Sequence, residues 1–113
     1  MVKVEAIVRP QRVEAVRSAL NEVGVSGITI TDAQGAGRQK GYTQHYRGAE
    51  YTVSLLSKSK IETVVTDSDA ERVVGIIQRV AQTGEIGDGK IFVTPILDAI
   101  RIRTEERGED ALR

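Results

Sequence analysis

The chain has 113 residues, which is long enough for one domain that is stabilised by a hydrophobic core without disulfide bonds or a structural metal. Its 16 basic and 16 acidic residues cancel, so no overall charge attracts nucleic acid or an anionic membrane. The lack of cysteine excludes disulfides, thiolate metal sites and cysteine nucleophiles, and a single histidine disfavours a metal cluster.

The first ten residues interrupt their apolar positions with charges, so we expect no signal peptide. No stretch approaches the ~20 apolar residues needed to cross a bilayer. The sequence therefore predicts a cytoplasmic protein.

The N-terminal part predicts a strand, a helix and a second strand. Apolar and charged residues alternate over Val2–Val8, which indicates a strand with one buried face. Pro10 suits a first helical turn, and Gly24 is expected to end helix one with a left-handed cap. Residues 27–32 are rich in β-branched side chains and predict strand two. The apolar stripe of helix one consists of Val13, Val16, Leu20 and Val23.

Residues 35–51 differ from the rest of the chain. They hold four glycines, three cations and all three tyrosines, with no apolar period of a strand or a helix. We therefore predict a long exposed loop, about residues 37–54, without structure of its own; such loops are usually functional. The only histidine, His45, lies in this loop, and we expect it to be solvated.

The second half predicts a strand, a helix and a final strand. Residues 60–66 are expected to form strand three. Ser68 and Glu71 have capping-box spacing, so we expect helix two to open there and to end at Gly84. A second glycine loop follows at residues 83–89, and residues 91–97 predict strand four. The stripe of helix two consists of Val73, Ile77, Val80 and Ala81.

The tail, about residues 98–113, begins with an alternating pattern. Ile100 and Ile102 alternate with Arg101 and Arg103, so the two arginines are expected to project from one face of an extended segment. Beyond them the tail is charged and expected to fray.

The order of elements predicts a single α+β domain over residues 1–113, with the ferredoxin-like βαββαβ pattern. Both helices should cover one face of an antiparallel sheet. The opposite face should carry Ile7 beside Lys3, Glu5 and Arg9, and nothing in the chain is left to cover it. We therefore expect a closed homo-oligomer.

Cations accompany glycine or strand geometry at residues 35–38, 87–90 and 101–103, a combination suited to binding phosphate. Each segment alone is as easily a turn or a solvated strand end. Neither a Walker loop nor a dinucleotide fingerprint is present. A small phosphotransferase using His45 or Asp88 is an alternative. An RNA-binding sheet is disfavoured, because Phe92 is the only aromatic residue outside the loop.

Two longer motifs carry a resemblance. Residues 46–51 read Tyr-Arg-Gly-Ala-Glu-Tyr, and residues 83–92 read Thr-Gly-Glu-Ile-Gly-Asp-Gly-Lys-Ile-Phe. With residues 37–41 and 101–104, they resemble the signatures of the PII nitrogen-regulatory signal-transduction family, over essentially the whole chain.

The resemblance implies a homotrimeric regulator, not an enzyme, that binds ATP or ADP in the clefts between subunits. It also implies binding of 2-oxoglutarate together with Mg²⁺ and ATP. The long loop would change conformation with the ligands and dock onto ammonium transporters, nitrogen-metabolism enzymes or their regulators. The protein would therefore contact a membrane only indirectly, through a transporter. A regulator that senses adenine nucleotides without responding to 2-oxoglutarate is the alternative.

The resemblance also assigns residues. The nucleotide ligands it implies are Thr29, Gly37, Arg38, Val64, Gly87, Gly89, Lys90, Arg101 and Arg103. Of these, Thr29 and Val64 would face the adenine. The 2-oxoglutarate ligands it implies are Gln39, Lys40, Gly41, Lys58 and Gly87, and Gln39 would also coordinate Mg²⁺.

The long loop carries two further matches. Tyr51 matches the tyrosine that receives a nucleotidyl group in some members, or else packs the loop against a neighbour. Arg47 matches the loop-tip arginine that enters a transporter pore, or else is solvated. Ala36 and Glu105 depart from the residues common in the family, at positions that bear on nucleotide contact.

Overall fold

The computed structural model describes residues 1–36, 43–46, 49–52 and 55–113, the two short middle ranges by their backbone. Its α-helices and β-strands, with bounds, are β1 (Val2–Val8), α1 (Val13–Glu22), β2 (Thr29–Gly35), β3 (Thr43–Tyr46), β4 (Ala49–Thr52), β5 (Leu56–Val65), α2 (Asp67–Ala81) and β6 (Lys90–Pro95). Short 3₁₀ helices occupy Pro10–Arg12 and Gly108–Leu112.

In the part of the chain that the structure describes, four strands form an antiparallel sheet in the order β2-β5-β1-β6. This order, with a helix after β1 and another after β5, is the ferredoxin-like arrangement and confirms the predicted α+β fold. The central strand β1 pairs with β5 along its whole length, and β6 pairs with the other edge of β1. The N- and C-terminal parts of the domain are thereby joined through β1.

The hydrophobic core lies between the sheet and the helices. The alternation along β1 buries Val4, Ala6 and Val8, as the sequence predicts. From α1 the core takes Val16 and Leu20, with Val13 and Val23 packed partly against it. The other core residues are Val25, Ile61, Val65, Val73, Ile76, Ile77 and Ala81.

The opposite face of the sheet is charged at its centre. Glu5 on β1 lies directly across from Glu62 on β5, a like-charge pair that is unfavourable by itself. Lys60 lies 3.5 Å from Glu5 and 3.9 Å from Glu62, and Lys3 lies 3.7 Å and 3.9 Å from the same two carboxylates. These four residues, here called the charge quartet, neutralise one another on the open face.

The helix ends differ in part from the prediction. Gly24 follows α1 with φ of +86°, which confirms the left-handed cap. The predicted capping box at Ser68 is wrong, because α2 begins at Asp67 with Thr66 as its N-cap and Ser68 lies inside the first turn. The Thr66 hydroxyl pairs with that of Ser68 at 3.1 Å instead of with a backbone N–H. Helix α2 also ends at Ala81, before Gly84.

The strands are longer or shifted relative to the prediction. β2 runs on to Gly35, which pairs with Leu56, so both strands that flank the long loop extend towards it. β5 begins at Leu56 instead of residue 60, and β6 covers Lys90–Pro95 instead of residues 91–97.

The prediction that residues 37–54 lack structure of their own is wrong, because β3 and β4 form an antiparallel hairpin within them. In this hairpin His45 pairs with Glu50, and Gln44 pairs with Tyr51. The prediction searched for an apolar period, and residues 35–51 have none, so it could not reveal strands that are recognised by their backbone pairing.

The extended segment predicted at residues 100–103 is also wrong. The Arg101 carbonyl accepts a hydrogen bond from the Glu105 N–H at 2.8 Å, and the Arg101 N–H donates to the Glu106 carbonyl at 2.9 Å, which closes a tight turn. Glu105 has φ of +65°, a conformation that costs a non-glycine residue about 1 kcal/mol. Arg101 and Arg103 therefore do not share one face of a strand.

Two glycines near the end of α1 offer a matched test of the helix cap. An added Cβ meets open space at both Gly24 and Gly27, but only Gly24 has a positive φ. We expect Gly24→Ala to lower the free energy of unfolding by about 1 kcal/mol and Gly27→Ala to leave it unchanged or slightly raised. Urea unfolding of the two variants measures this, and equal effects would contradict the role given to the cap.

Candidate functional site

A cavity of about 390 to 470 Å³ lies on each side of the second glycine loop, and the larger one is at the base of the long loop. Its walls come from the end of β2, the start of β5, the second glycine loop and the start of β6. The residues that line it are Ile7, Gly35, Ala36, Leu56, Lys58, Ile86, Gly87, Gly89, Lys90 and Phe92. We call it the loop-base cavity.

The second glycine loop approaches β1 more closely than a side chain would allow. Gly89 has φ of +97°, and a Cβ at this position would overlap the carbonyl oxygen of Ile7. Gly87 also has a positive φ, of +106°. Glycine at these positions lets the backbone lie against the end of β1, and the next residue, Lys90, pairs with Ile7 as β6 begins.

Lys58 projects into the loop-base cavity from β5. Its ammonium donates a hydrogen bond to the Gly87 carbonyl at 2.5 Å. Burial lowers the pKa of Lys58, and the nearby Arg9 guanidinium lowers it further, while the Asp88 carboxylate opposes both effects. Lys58 and Lys90 line the cavity and Arg9 lies close to Lys58, so this region is cationic, which suits a carboxylate or a phosphate.

Asp88 ties the second glycine loop to its surroundings. Its carboxylate accepts hydrogen bonds from the Thr83 hydroxyl at 2.5 Å, the Thr83 N–H at 2.8 Å and the Gly84 N–H at 2.9 Å. Arg9 Nε donates to Asp88 Oδ1 at 3.1 Å, and Arg9 Nη2 donates to the Ile86 carbonyl at 2.9 Å. The Thr83 bonds, with those of Gly84 and Arg9, hold the pKa of Asp88 well below its usual range, so the carboxylate stays ionised.

Thr29 and Val64, predicted to face an adenine, line a different cavity. It has a volume of about 240 Å³ and lies at the far end of β5, against the C-terminal segment. Its other lining residues are Lys3, Gly27, Glu62, Thr63, Ala111 and Leu112. Lys58 and Val64 are six residues apart on β5, about 20 Å at roughly 3.3 Å per residue. Within one chain, these two groups of predicted ligands are therefore separate.

Arg101 and Arg103 lie in the turn of the C-terminal segment. The Arg101 guanidinium pairs with Glu106 at 2.7 Å and also donates to the carbonyls of Ala111 and Arg113. The hydrogen bond from the Thr104 hydroxyl lowers the pKa of Glu106, and burial opposes this effect. The positive charge of Arg101 and its hydrogen bond to Glu106 lower the pKa further. Arg101 is thus half-buried and engaged by its own chain, whereas Arg103 is exposed.

Several predicted ligands lie outside the described residues: Gly37, Arg38, Gln39, Lys40, Gly41 and Arg47. Tyr51 is described by its backbone, in β4. Over the described ranges, no group of three or more His, Asp or Glu side chains could hold a metal ion. No helix in the same ranges is long and apolar enough to cross a membrane.

Sequence reasoning missed Arg9 and the part played by Asp88 in the loop. Arg9 and Asp88 are 79 residues apart, so no local pattern links them. The only signal was that Arg9 directly follows β1, whose neighbour β6 begins just after the second glycine loop.

These features define a ferredoxin-like domain with a cationic, glycine-walled cavity at the base of a long loop. A family model described as Nitrogen regulatory protein P-II matches residues 1–106. The chain belongs to this family, as its signatures predict. The relatives are named as regulatory proteins, which confirms the prediction of a regulator and disfavours the phosphotransferase alternative.

Curated relatives match almost end to end. The chain is 57% identical to a nitrogen regulatory protein P-II of Azospirillum brasilense and 58% identical to one of Rhodospirillum rubrum. Each alignment covers 99% of this chain and 100% of the relative. Among solved structures, the chain is similar to Arabidopsis thaliana PII bound to citrate, with 44% identity and a TM-score of 0.81. That match covers 99% of this chain and 89% of the Arabidopsis chain.

The close contact at Gly89 predicts the effect of one methyl group. Gly89→Ala should lower the free energy of unfolding by about 2 kcal/mol or more, because the Cβ overlaps backbone and the φ is left-handed. Gly75→Ala is the matched control: it lies in α2 with open space around it and should raise stability by up to about 1 kcal/mol. Thermal unfolding of both variants measures the difference, and an unaffected Gly89→Ala protein would contradict the close approach.

Proposed function

We propose that this protein reports adenine nucleotide and 2-oxoglutarate levels to partner proteins of nitrogen metabolism, as a homotrimer with nucleotide sites between its subunits. ATP or ADP would bind with its phosphates at the second glycine loop and Lys90. With Mg²⁺-ATP in place, 2-oxoglutarate would bind beside Lys58. The proposed partners are an ammonium transporter, an enzyme of nitrogen assimilation or a regulator of one.

The observation that carries this proposal is the make-up of the loop-base cavity. Lys58, Lys90 and the backbone of Gly87 and Gly89 line one space, and they are four of the residues that the family signatures assign to the ligands. Two ammonium groups beside a glycine backbone suit a ligand that carries phosphates and carboxylates.

The division of the ligands between two cavities supports a site shared by two chains. The phosphate side lies at the start of β5, and the proposed adenine contacts, Thr29 and Val64, lie near its other end. Arg101 is tied to the C-terminal segment, which lines the second of these cavities. A neighbouring chain that brings its second cavity to the loop-base cavity of this one would complete the site, and the open sheet face is available for that contact.

The position of the cavity supports a ligand-dependent loop. The long loop leaves β2 after Gly35 and returns at β5, and residues on both sides, Ala36 and Leu56, line the loop-base cavity. A ligand in the cavity therefore meets both ends of the loop. Ligand contacts of Gln39, Lys40 and Gly41, with Gln39 also on Mg²⁺, would favour one loop conformation over others and shift their populations. Arg38 and Gly37 would contact the phosphates.

The proposed outputs of the loop are Arg47, which would contact the partner, and Tyr51, which would receive a modifying nucleotidyl group. The citrate bound to the Arabidopsis relative is a polycarboxylate, and it supports the view that a small anion such as 2-oxoglutarate is bound by this family.

The position of Lys58 predicts that one substitution can remove the binding of 2-oxoglutarate and keep the binding of ATP. Lys58→Ala should abolish 2-oxoglutarate binding and leave Mg²⁺-ATP affinity within a few fold, because the ammonium would pair with a carboxylate of the keto acid. Arg72→Ala, which removes an exposed cation of α2 paired with Asp69, is the control. Calorimetric titration of 2-oxoglutarate, with and without Mg²⁺-ATP, measures both affinities. Equal loss of both ligands in Lys58→Ala would refute its role, and a wild-type protein that binds ATP alone would favour the nucleotide-only regulator.

A site shared between chains predicts complementation. Lys90→Ala should weaken ATP binding by about 1.5 to 3 kcal/mol, the scale of a hydrogen bond to a charged group. Arg101→Ala should weaken it by about 1.5 kcal/mol, the lower end of that range, because Arg101 must give up its pairing with Glu106 to bind the ligand. Chains of the two variants unfolded and refolded together should regain some native sites, because each supplies the half that the other lacks. Titration of ATP into the mixed assembly, beside each variant alone, tests this. Failure to regain any tight sites in an assembly shown to be mixed would contradict the shared site.

A further inference from the structure

Asp88 is a charged residue near the end of the second glycine loop, and the proposed ligand set does not use it. Its carboxylate accepts hydrogen bonds from the Thr83 hydroxyl, the N–H groups of Thr83 and Gly84, and the Arg9 guanidinium, at distances of 2.5 to 3.1 Å. The side chain is only 23% exposed. These donors come from two parts of the chain: the start of the loop itself, and Arg9 directly after β1.

The hydrogen bonds of Asp88 close the loop on itself. Thr83 and Gly84 stand at its start and Asp88 stands near its end, so the carboxylate joins the two ends of the loop. Arg9 adds a bond from outside, and its second nitrogen holds the Ile86 carbonyl. Glycine backbone can adopt many conformations, so these bonds, together with the close approach of Gly89 to Ile7, restrain where the loop backbone lies.

The placement of the loop decides what Lys58 meets. The Gly87 carbonyl, one residue before Asp88, accepts the hydrogen bond of the Lys58 ammonium at 2.5 Å. One residue after Asp88, Gly89 lies against Ile7, and Lys90 then enters β6. A shift of Asp88 would therefore move the carbonyl that orients Lys58 and the backbone that carries Lys90.

Asp88 also balances charge in this region. Arg9 and Lys58 are like charges close enough for Arg9 to lower the pKa of Lys58, and Asp88 is the carboxylate that opposes this effect. Without the Asp88 carboxylate, the positive charges of Arg9 and Lys58 would lie close together and uncompensated in a partly buried region.

We propose that Asp88 is a positioning residue that holds the second glycine loop in place and so orients Lys58 and Lys90 towards an anionic ligand in the loop-base cavity. The proposal rests on the proposed function for the identity of that ligand, but not for the orientation of Lys58. The competing explanation is that Asp88 only stabilises the connection between α2 and β6.

The test compares Asp88→Ala and Asp88→Asn with Asp69→Asn. Asp69 lies at the other end of α2 and pairs with Arg72. Its substitution by Asn removes the same charge as Asp88→Asn does, but far from the cavity. Calorimetry with Mg²⁺-ATP should show affinity reduced by about tenfold or more in Asp88→Ala, the scale of a lost charge-assisted hydrogen bond, and reduced less in Asp88→Asn, whose amide oxygen can still accept from Thr83 and Gly84. Asp69→Asn should bind as the wild type does.

A second readout needs no ligand. The rate at which a dilute acylating reagent modifies Lys58, followed by mass spectrometry, should change in Asp88→Ala and stay at the wild-type value in Asp69→Asn, because only the first frees Lys58 from the Gly87 carbonyl. If the wild-type protein binds no nucleotide, the proposed function fails and the acylation rate still decides the role of Asp88.

Folding is checked by the thermal midpoint and by the oligomeric state of each variant. A folded Asp88→Ala protein with wild-type Mg²⁺-ATP affinity and wild-type Lys58 reactivity would overturn the proposal and leave Asp88 as a stabiliser of the connection. Should Asp88→Ala not fold, Thr83→Ala removes one donor and keeps the carboxylate. A change in Lys58 reactivity in Thr83→Ala would support the proposal, and an unchanged rate would overturn it.

Discussion

The contact between Gly89 and the end of β1 is the constraint on which the candidate site depends. Because no side chain fits between this residue and the Ile7 carbonyl, the second glycine loop can lie directly against the central strand. That approach brings the Gly87 carbonyl within reach of Lys58 and lets Lys90 begin β6 in register with Ile7. The cationic cavity follows from it, since the cavity walls are the loop on one side and the strands β2 and β5 on the other.

The sheet gives the two ends of the molecule different chemistry. At the start of β5 the chain presents cations and glycine backbone, whereas towards its end it presents Thr29, Val64 and the C-terminal segment. Arg101 belongs to the second end, where Glu106 and main-chain carbonyls occupy its guanidinium. An anion that binds Arg101 must therefore exchange with a carboxylate that is already there, so its net gain is smaller than that of the same contact to a solvated arginine.

Much of the fold could be predicted from local patterns, and the failures have physical causes. The buried face of β1 and the left-handed Gly24 follow from residue alternation and from glycine geometry. The hairpin of β3 and β4 was missed because the pattern that predicts strands is an apolar alternation, which residues 35–51 lack, whereas these strands are defined by their backbone pairing. The tail was mistaken for a strand because its turn places Glu105, a residue that carries no turn signal, at φ of +65°. The second glycine loop was located from its sequence, but Arg9 was not, because only the pairing of β6 with β1 brings it to Asp88.

The charge quartet on the open sheet face has a consequence for how this sequence can change over generations. Each carboxylate of Glu5 and Glu62 has two ammonium groups within 4 Å, from Lys3 and Lys60, and each ammonium is shared in the same way. Loss of a single member leaves its partners with an uncompensated charge on a partly buried surface, whereas loss of one cation and one anion together leaves the remaining pair balanced. Neutral drift at these four positions should proceed by paired exchanges, and single substitutions should be rarer there than elsewhere on the surface.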